Sequence, residues 1–202
     1  MTAVGILGGT FNPPHLAHLV CAQEAHAQLG LDRVVFVPAN LPPHKDVSVD
    51  PGPEARRTLC ELAVEGDERF TVSRVELDRP GRSYTVDTLK ALRDRSPEDE
   101  LTFIVGGDMA HSFRSWREPE AVLGLATLAV AERAGAAREQ IYGALAPLGE
   151  QAQTRVRFFD MPRLDVSSSL IRDRAAAGRP IRYLVPDAVA DAIAEHGWYA
   201  AA

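Results

Sequence analysis

The chain has 202 residues, of which 46% are hydrophobic and 25% charged, and it carries a formal net charge of −6. The composition is globular and the length suits one domain, 1–202, with a sizeable core; the acidic balance excludes a general electrostatic grip on nucleic acid and leaves room for a local basic cleft. No run approaches the ~18 apolar residues of a membrane span, and the start "MTAVGIL" has neither the basic region nor the long apolar stretch of a secretory leader, so a cytoplasmic protein is expected.

Val4–Leu7 is the first of six short strand-like runs; the others are Arg33–Val37, Phe70–Val75, Leu101–Val105, Thr127–Ala131 and Arg155–Phe159. Helical patterns alternate with them over Leu16–Leu29, Glu54–Val64, Thr85–Arg95, Glu118–Leu123 and Arg138–Leu145, and two more follow at Ser168–Ala177 and Asp187–Glu195. Alternation of this kind predicts βαβ units and an α/β fold, a Rossmann-like doubly wound parallel sheet with helices on both faces. Ligands of such sheets bind at the carboxyl ends of strands, which directs attention to residues 8–18, 38–45, 106–116 and 132–138. The two cysteines, Cys21 and Cys60, fall inside apolar helical patterns and read as buried free thiols.

The first run leads into "GGTFNPPHLAH", residues 8–18. Gly8 and Gly9 suit a sharp turn whose backbone N–H groups face an anion, and Pro13 and Pro14 lead into a helix starting near His15 or Leu16. Helical spacing then puts His15 and His18 on one face of the first turn, at the positive end of the dipole. Two imidazoles beside free N–H groups make a receptor for a polyphosphate. A zinc reading is weaker, because a catalytic zinc pair on a helix is commonly spaced i,i+4 with a glutamate that is missing here.

"PANLPPHK" follows the second run and ends on Lys45, which can project from a proline-stiffened loop to a phosphate. Pro53 suits the first turn of the next helix. "GRSYTVDTL" reads as a helix start with Thr85 or Ser83 as the N-cap, Asp87 in the first turn, and Leu89 and Leu92 toward the core. "FIVGGDMAHSFRSW" places Asp108 directly after a strand end, where a carboxylate can hold ribose hydroxyls. Trp116 lies in the loop beyond, where an indole either stacks on an aromatic ring or joins the core. "DVSSSLIRDRAAAGRP" reads as a helix with serines at its start, Leu170 and Ile171 inward, Gly178 at the C-cap and Pro180 beyond. Arg172 leans back toward the serine hydroxyls, and together they form a second phosphate site.

"GGTFNPPHLAH" resembles the signature of the nucleotidyltransferase superfamily with the HxGH motif, commonly GGTFDPxHxGH, with Asn12 in place of Asp and Ala17 in place of Gly. "VSSSLIR" resembles that superfamily's second motif, ISSTxIR, with Val166 for Ile and Ser169 for Thr. "SYTVDTL" is similar to the SYTxDTL stretch of the bacterial nicotinate mononucleotide adenylyltransferases. "AERAG" stands where they often show RPG, Arg133 matching the arginine and Ala134 replacing the proline. The motifs span nearly the whole chain.

The resemblance implies a transfer of the adenylyl group of ATP to nicotinate mononucleotide. It places ATP against Gly8, Gly9, Thr10, Phe11, His15, His18, Ser167, Ser168 and Arg172, and the mononucleotide against Lys45, Tyr84, Thr85, Asp108, Trp116 and Arg133. His15, His18, Lys45 and Arg172 are the groups it implies for catalysis. Mg²⁺ is expected to be bound mainly through ATP, with no metal site of the chain's own; neither nucleic acid nor membrane is an expected partner, and a homo-oligomer is compatible. The two phosphate motifs do not separate this acceptor from nicotinamide mononucleotide or phosphopantetheine, nor from a non-catalytic nucleotide sensor; residues 83–88, 116 and 133 favour the nicotinate form.

Overall fold

The computed structural model describes residues 1–42, 49–132, 138–149 and 154–200. Six strands, β1 (Ala3–Gly9), β2 (Arg33–Pro38), β3 (Phe70–Val72), β4 (Glu100–Gly106), β5 (Thr127–Glu132) and β6 (Val156–Asp160), form one sheet in the order β3-β2-β1-β4-β5-β6. Every neighbouring pair in it is parallel. Around the sheet lie α1 (Leu16–Leu29), α2 (Pro53–Val64), α3 (Thr85–Arg95), α4 (Gly107–His111), α5 (Pro119–Leu125), α6 (Arg138–Leu145), α7 (Ser168–Ala176) and α8 (Asp187–Glu195). This is the expected α/β, Rossmann-like architecture. The strand order reverses between β1 and β4, the switch point beside which such sheets bind ligands.

Successive side chains of a strand point to opposite faces, and the core shows it. Val4 and Ile6 of β1 and Leu101, Phe103 and Val105 of β4 enter one layer, with Val86, Leu89, Val122 and Leu123 from the helices. Leu7 and Ile104 enter the other, with Ala22, Ala25, Phe36 and Phe159. The buried face of α1 consists of small residues, Ala17, Cys21, Ala22 and Ala25. A third cluster joins Leu59 and Ala63 of α2 to Ile171 of α7, to Val189 and Ile193 of α8, and to Ile181, Val185 and Tyr199. It folds the C-terminal part of the chain back onto α2. Both cysteines are buried thiols, as expected, and neither forms a disulfide among the described residues; burial pushes the Cys60 thiol well above its ordinary range.

The structure moves several expected boundaries. β1 runs through Gly8 and Gly9, which pair with Val37 and Pro38, and neither glycine has a positive φ. They supply room instead of a turn: a Cβ on Gly9 would lie 3.1 Å from the ring of Phe11, and one on Gly8 3.3 Å from Phe103. Phe11 itself makes the turn, with φ 49°. β3 stops at Val72, after which Asp78 N–H bonds to Arg74 O at 2.9 Å in a tight turn; Val75 still reaches the core from there. Leu170, expected inward, is 38% exposed; starting the helix at Ser168 turns Ile171 to the core and Leu170 off that face. The segment after β4, expected as a loop, holds α4 and a 3₁₀ turn at Phe113–Ser115.

Candidate active site

His15 is the N-cap of α1 and is buried, while His18 is half-buried one turn on. Their rings stack with centroids 3.7 Å apart. The backbone N–H of His15 donates to His18 Nδ1 at 3.2 Å. With that nitrogen accepting, the proton of a neutral His18 ring sits on Nε2, which is thereby a donor. Phe11 is buried, tilted against Phe36 and edge-on to His18 at 5.0 Å. Its side chain packs in the core and props the imidazole, so only its backbone remains for a nucleotide.

The first-turn N–H groups expected to be free are already in use. That of His15 goes to His18, that of Leu16 to Leu184 O at 3.0 Å, and that of His18 to His15 O at 2.9 Å. A phosphate at this turn therefore meets side chains rather than those three amides. Ala17, where the resemblance has Gly, is buried in the layer beneath α1, and its methyl packs there.

Arg172 reaches back along α7 as expected, with Nη2 donating to Ser169 Oγ at 3.1 Å. Its Nη1 donates to Asn12 O at 2.8 Å, across 160 residues of sequence, and Ser168 Oγ donates to Pro13 O at 2.8 Å. Ser167 is the N-cap of α7, accepting from Leu170 N–H. The second motif is thus docked directly on the first. Of the five N–H donors of the guanidinium, these bonds use two. An anion lying over the first loop is offered imidazole, guanidinium and hydroxyl groups from both motifs.

The other sequence-derived residues lie at the ends of α3 and β4. Tyr84, not Ser83 or Thr85, is the N-cap of α3, and Thr85 is its first residue. The hydroxyl of Ser83 instead accepts from Asn40 N–H at 2.9 Å, and Ser83 N–H donates to Leu41 O, tying this start to the loop after β2. Beneath it Thr88 Oγ1 donates to the buried carboxylate of Glu76 at 2.6 Å. Burial, outweighing the hydrogen bonds from Ser83 and Thr88, holds the Glu76 carboxyl above its ordinary value. Arg117 lies over the Tyr84 ring at 4.9 Å and pairs with Asp87 at 3.4 Å.

Trp116 is half-buried, edge-on to Phe103 at 5.9 Å and tilted against Phe113 at 5.0 Å. Phe103 is the same ring that fills the space over Gly8. Asp108 is exposed in the first turn of α4. Lys45 and Arg133 lie outside the described residues. Among the described residues no cluster of three His, Cys, Asp or Glu could hold a metal ion.

The cytidylyltransferase-like family profile matches residues 6–174. A protein of Thermus thermophilus named "probable nicotinate-nucleotide adenylyltransferase" is 47% identical over 196 residues, covering 97% of this chain and 98% of its own. One of the same name from Shouchella clausii is 40% identical, covering 98% and 97%. The chain belongs to the nicotinate-nucleotide adenylyltransferase family. The fold extends to a distant solved structure, the Plasmodium falciparum nicotinic acid mononucleotide adenylyltransferase complexed with NaAD, at TM-score 0.76 and 17% identity over 98% of both chains.

Within this family frame the structure adds two side chains that the motifs did not single out, Arg56 and Tyr199, and gives a role to Asn12 of the first motif. Arg56 of α2 is fully buried and gathers the ends of two loops: Nη1 donates to Thr10 O and Ala39 O at 2.8 and 2.7 Å, Nη2 to Asn40 O at 3.1 Å, and Nε to Asp50 at 3.0 Å. A signal for it exists in the sequence, because Arg56 shares helical spacing with Leu59, Cys60, Ala63 and Val64, the buried face of α2. Asn12 is buried too, donating through Nδ2 to Val49 O at 2.8 Å and accepting through Oδ1 from Tyr199 OH at 2.7 Å. A carboxylate only accepts, so the amide at this position satisfies a carbonyl that the more common Asp would leave facing an oxygen. Tyr199 stands 187 residues from its partner and no local pattern points to it.

Proposed function

We propose that the protein joins ATP and nicotinate mononucleotide into nicotinate adenine dinucleotide with release of pyrophosphate, residues 1–202 acting as one nucleotidyltransferase domain in the cytoplasm. The observation that carries this is the docking of Arg172 and Ser168 on the carbonyls of Asn12 and Pro13, which unites the two phosphate motifs in one receptor. The acceptor is supported by the names of full-length relatives at 40–47% identity and by the SYTVDTL stretch at the start of α3.

A phosphate oxygen of the mononucleotide attacks the α-phosphorus of ATP. A P–O bond forms there as the bond to the bridging oxygen breaks, and the electron pair leaves on pyrophosphate. The nucleophile is already anionic, so what the chain must supply is alignment and stabilisation of developing charge. We assign that to His18 through Nε2–H, to His15 stacked on it, to Arg172 and to Lys45. Gly8, Gly9, Thr10 and the backbone of Phe11 line the nucleotide, with Ser167 and Ser168 at the second motif. Tyr84, Thr85, Asp108, Trp116 and Arg133 face the mononucleotide, the indole stacking on the pyridine ring. Mg²⁺ enters as part of the Mg·ATP substrate, held by phosphates and water.

The test is pyrophosphate release from ATP and Mg²⁺ with nicotinate mononucleotide, its amide, or phosphopantetheine at equal concentrations. Release strongly favouring the acid is expected. Release favouring another acceptor would keep the chemistry and overturn the acceptor; nucleotide binding with no release from any of them would make the chain a sensor.

A further inference from the structure

The C-terminal part of the chain grips the first loop at four points. Ser168 Oγ bonds Pro13 O, Arg172 bonds Asn12 O, Leu184 O receives the N–H of Leu16, and Tyr199 OH donates to Asn12 Oδ1. Three of these bonds are explained by the phosphate motifs or by helix capping; the bond from Tyr199 is not. Tyr199 is 5% exposed, its ring lies in the cluster with Leu59, Val189 and Ile193, and its backbone takes a left-handed φ of 66°. Phe11, next to Asn12, is left-handed as well, at 49°. Non-glycine residues in that region persist where surrounding structure over-determines them, often beside functional groups. Here one such residue bonds the Asn12 side chain and the other directly precedes Asn12 in the chain.

That side chain is bonded at every polar atom. Asn12 Oδ1 accepts from Tyr199, Nδ2 donates to Val49 O, and the backbone carbonyl of the same residue accepts Arg172 Nη1. Clamping the amide from two sides fixes the rotation of the residue, and with it the direction of the carbonyl on which Arg172 rests. Burial pushes the Tyr199 phenol well above its ordinary range, so it remains a donor at any physiological pH.

We propose that Tyr199 and Asn12 are positioning residues for ATP: the hydroxyl of Tyr199, through the Asn12 amide, sets the carbonyl that holds Arg172 against the first loop. This rests on the assignment of Arg172 to the nucleotide phosphates. Neither Tyr199 nor Asn12 touches substrate in this scheme.

The experiment is a double-mutant cycle of Tyr199→Phe with Arg172→Ala, read by calorimetric ATP binding, by KM for each substrate and kcat in pyrophosphate release, and by thermal melting. The phenylalanine keeps the ring in its cluster, so the fold is retained. Loss of one hydrogen bond is expected to weaken ATP binding about fivefold, with the KM for nicotinate mononucleotide unchanged. In the Arg172→Ala background the same change is expected to have no further effect, because coupled residues are not additive. Wild-type ATP binding in Tyr199→Phe, a loss that repeats in full without Arg172, or an equal rise in both KM values would each overturn the proposal. ATP binding is measured without turnover, so a failure of the adenylyltransferase reading would show as missing pyrophosphate release while the cycle still decides for or against Tyr199.

Discussion

Thr10, Asn12 and Pro13 are held from behind by hydrogen bonds from Arg56, Tyr199, Arg172 and Ser168, which come from α2, the C-terminal segment and α7. Tyr84 and Trp116, on the side we assign to the mononucleotide, rest on ring contacts with Arg117, Phe103 and Phe113. The first side is built of polar bonds, buried at Tyr199 and partly buried at the others, with sharp distance and angle requirements. The second is built of aromatic packing with one buried carboxylate, Glu76, beneath it. The difference suits the tasks. Phosphoryl chemistry needs donors fixed relative to a developing charge, and a bond that is 2.8 Å long tolerates little drift. A flat ring stacked on an indole tolerates sliding.

The contrast can be broken most forcefully at Arg56. Replacing it by Met removes the donor from three backbone carbonyls and leaves the partly exposed Asp50 with the N–H of Gly52, and a buried acceptor left unsatisfied costs about 1–3 kcal/mol. Urea unfolding should show that loss, and a change below ~1 kcal/mol would mean that the first loop does not depend on its brace. His18→Ala should keep the fold, costing about 1 kcal/mol for the lost bond to the His15 N–H, and lower kcat by about 10²–10³-fold, the range for losing one preorganised donor. Unchanged turnover would remove His18 from the chemistry.

On the other side, Trp116→Ala should raise the KM for nicotinate mononucleotide about tenfold, as expected for one stacking contact, with the KM for ATP within about twofold of wild type. Equal effects on the two substrates would make the indole a piece of core. The smallest effect is a change of slope. Glu76 has a folded-state pKa above its ordinary 4.5, so the folded protein takes up a proton more readily than the unfolded chain does. Its ionisation therefore opposes folding above the folded pKa, and that opposition fades as the pH falls through the raised pKa toward 4.5. Glu76→Gln cannot titrate. Acidification over that window should shift the difference in urea midpoints in favour of wild type, and parallel pH profiles would show that the burial of Glu76 has no energetic consequence.

Much of the fold was legible because its signals are local. The strand runs and helical patterns came within a few residues of the observed elements, and the two phosphate motifs stood out as sequences. Several errors arose where a distant partner decided the outcome. Gly8 and Gly9 looked like a turn, yet they are strand residues whose missing Cβ atoms accommodate Phe103 and Phe11. Ser83 looked like a helix cap, but Asn40 from the loop after β2 claims its hydroxyl. The first-turn amides of α1 looked free, but Leu184 claims the one on Leu16.

What the amino-acid order determined by itself is the alternation of strand and helix, the placing of His15 and His18 on one helical turn, and the lean of Arg172 toward its own serines. These depend on residues a few positions apart, and helical and strand geometry convert such spacing directly into direction. Only the tertiary structure decided what those groups are fastened to. Asn12 meets Tyr199, Val49 and Arg172 through chain separations of 187, 37 and 160 residues. Hydrogen bonds of that reach are selected by the packing of α2, α7 and α8 into one apolar cluster, and the pattern of near neighbours holds no trace of them.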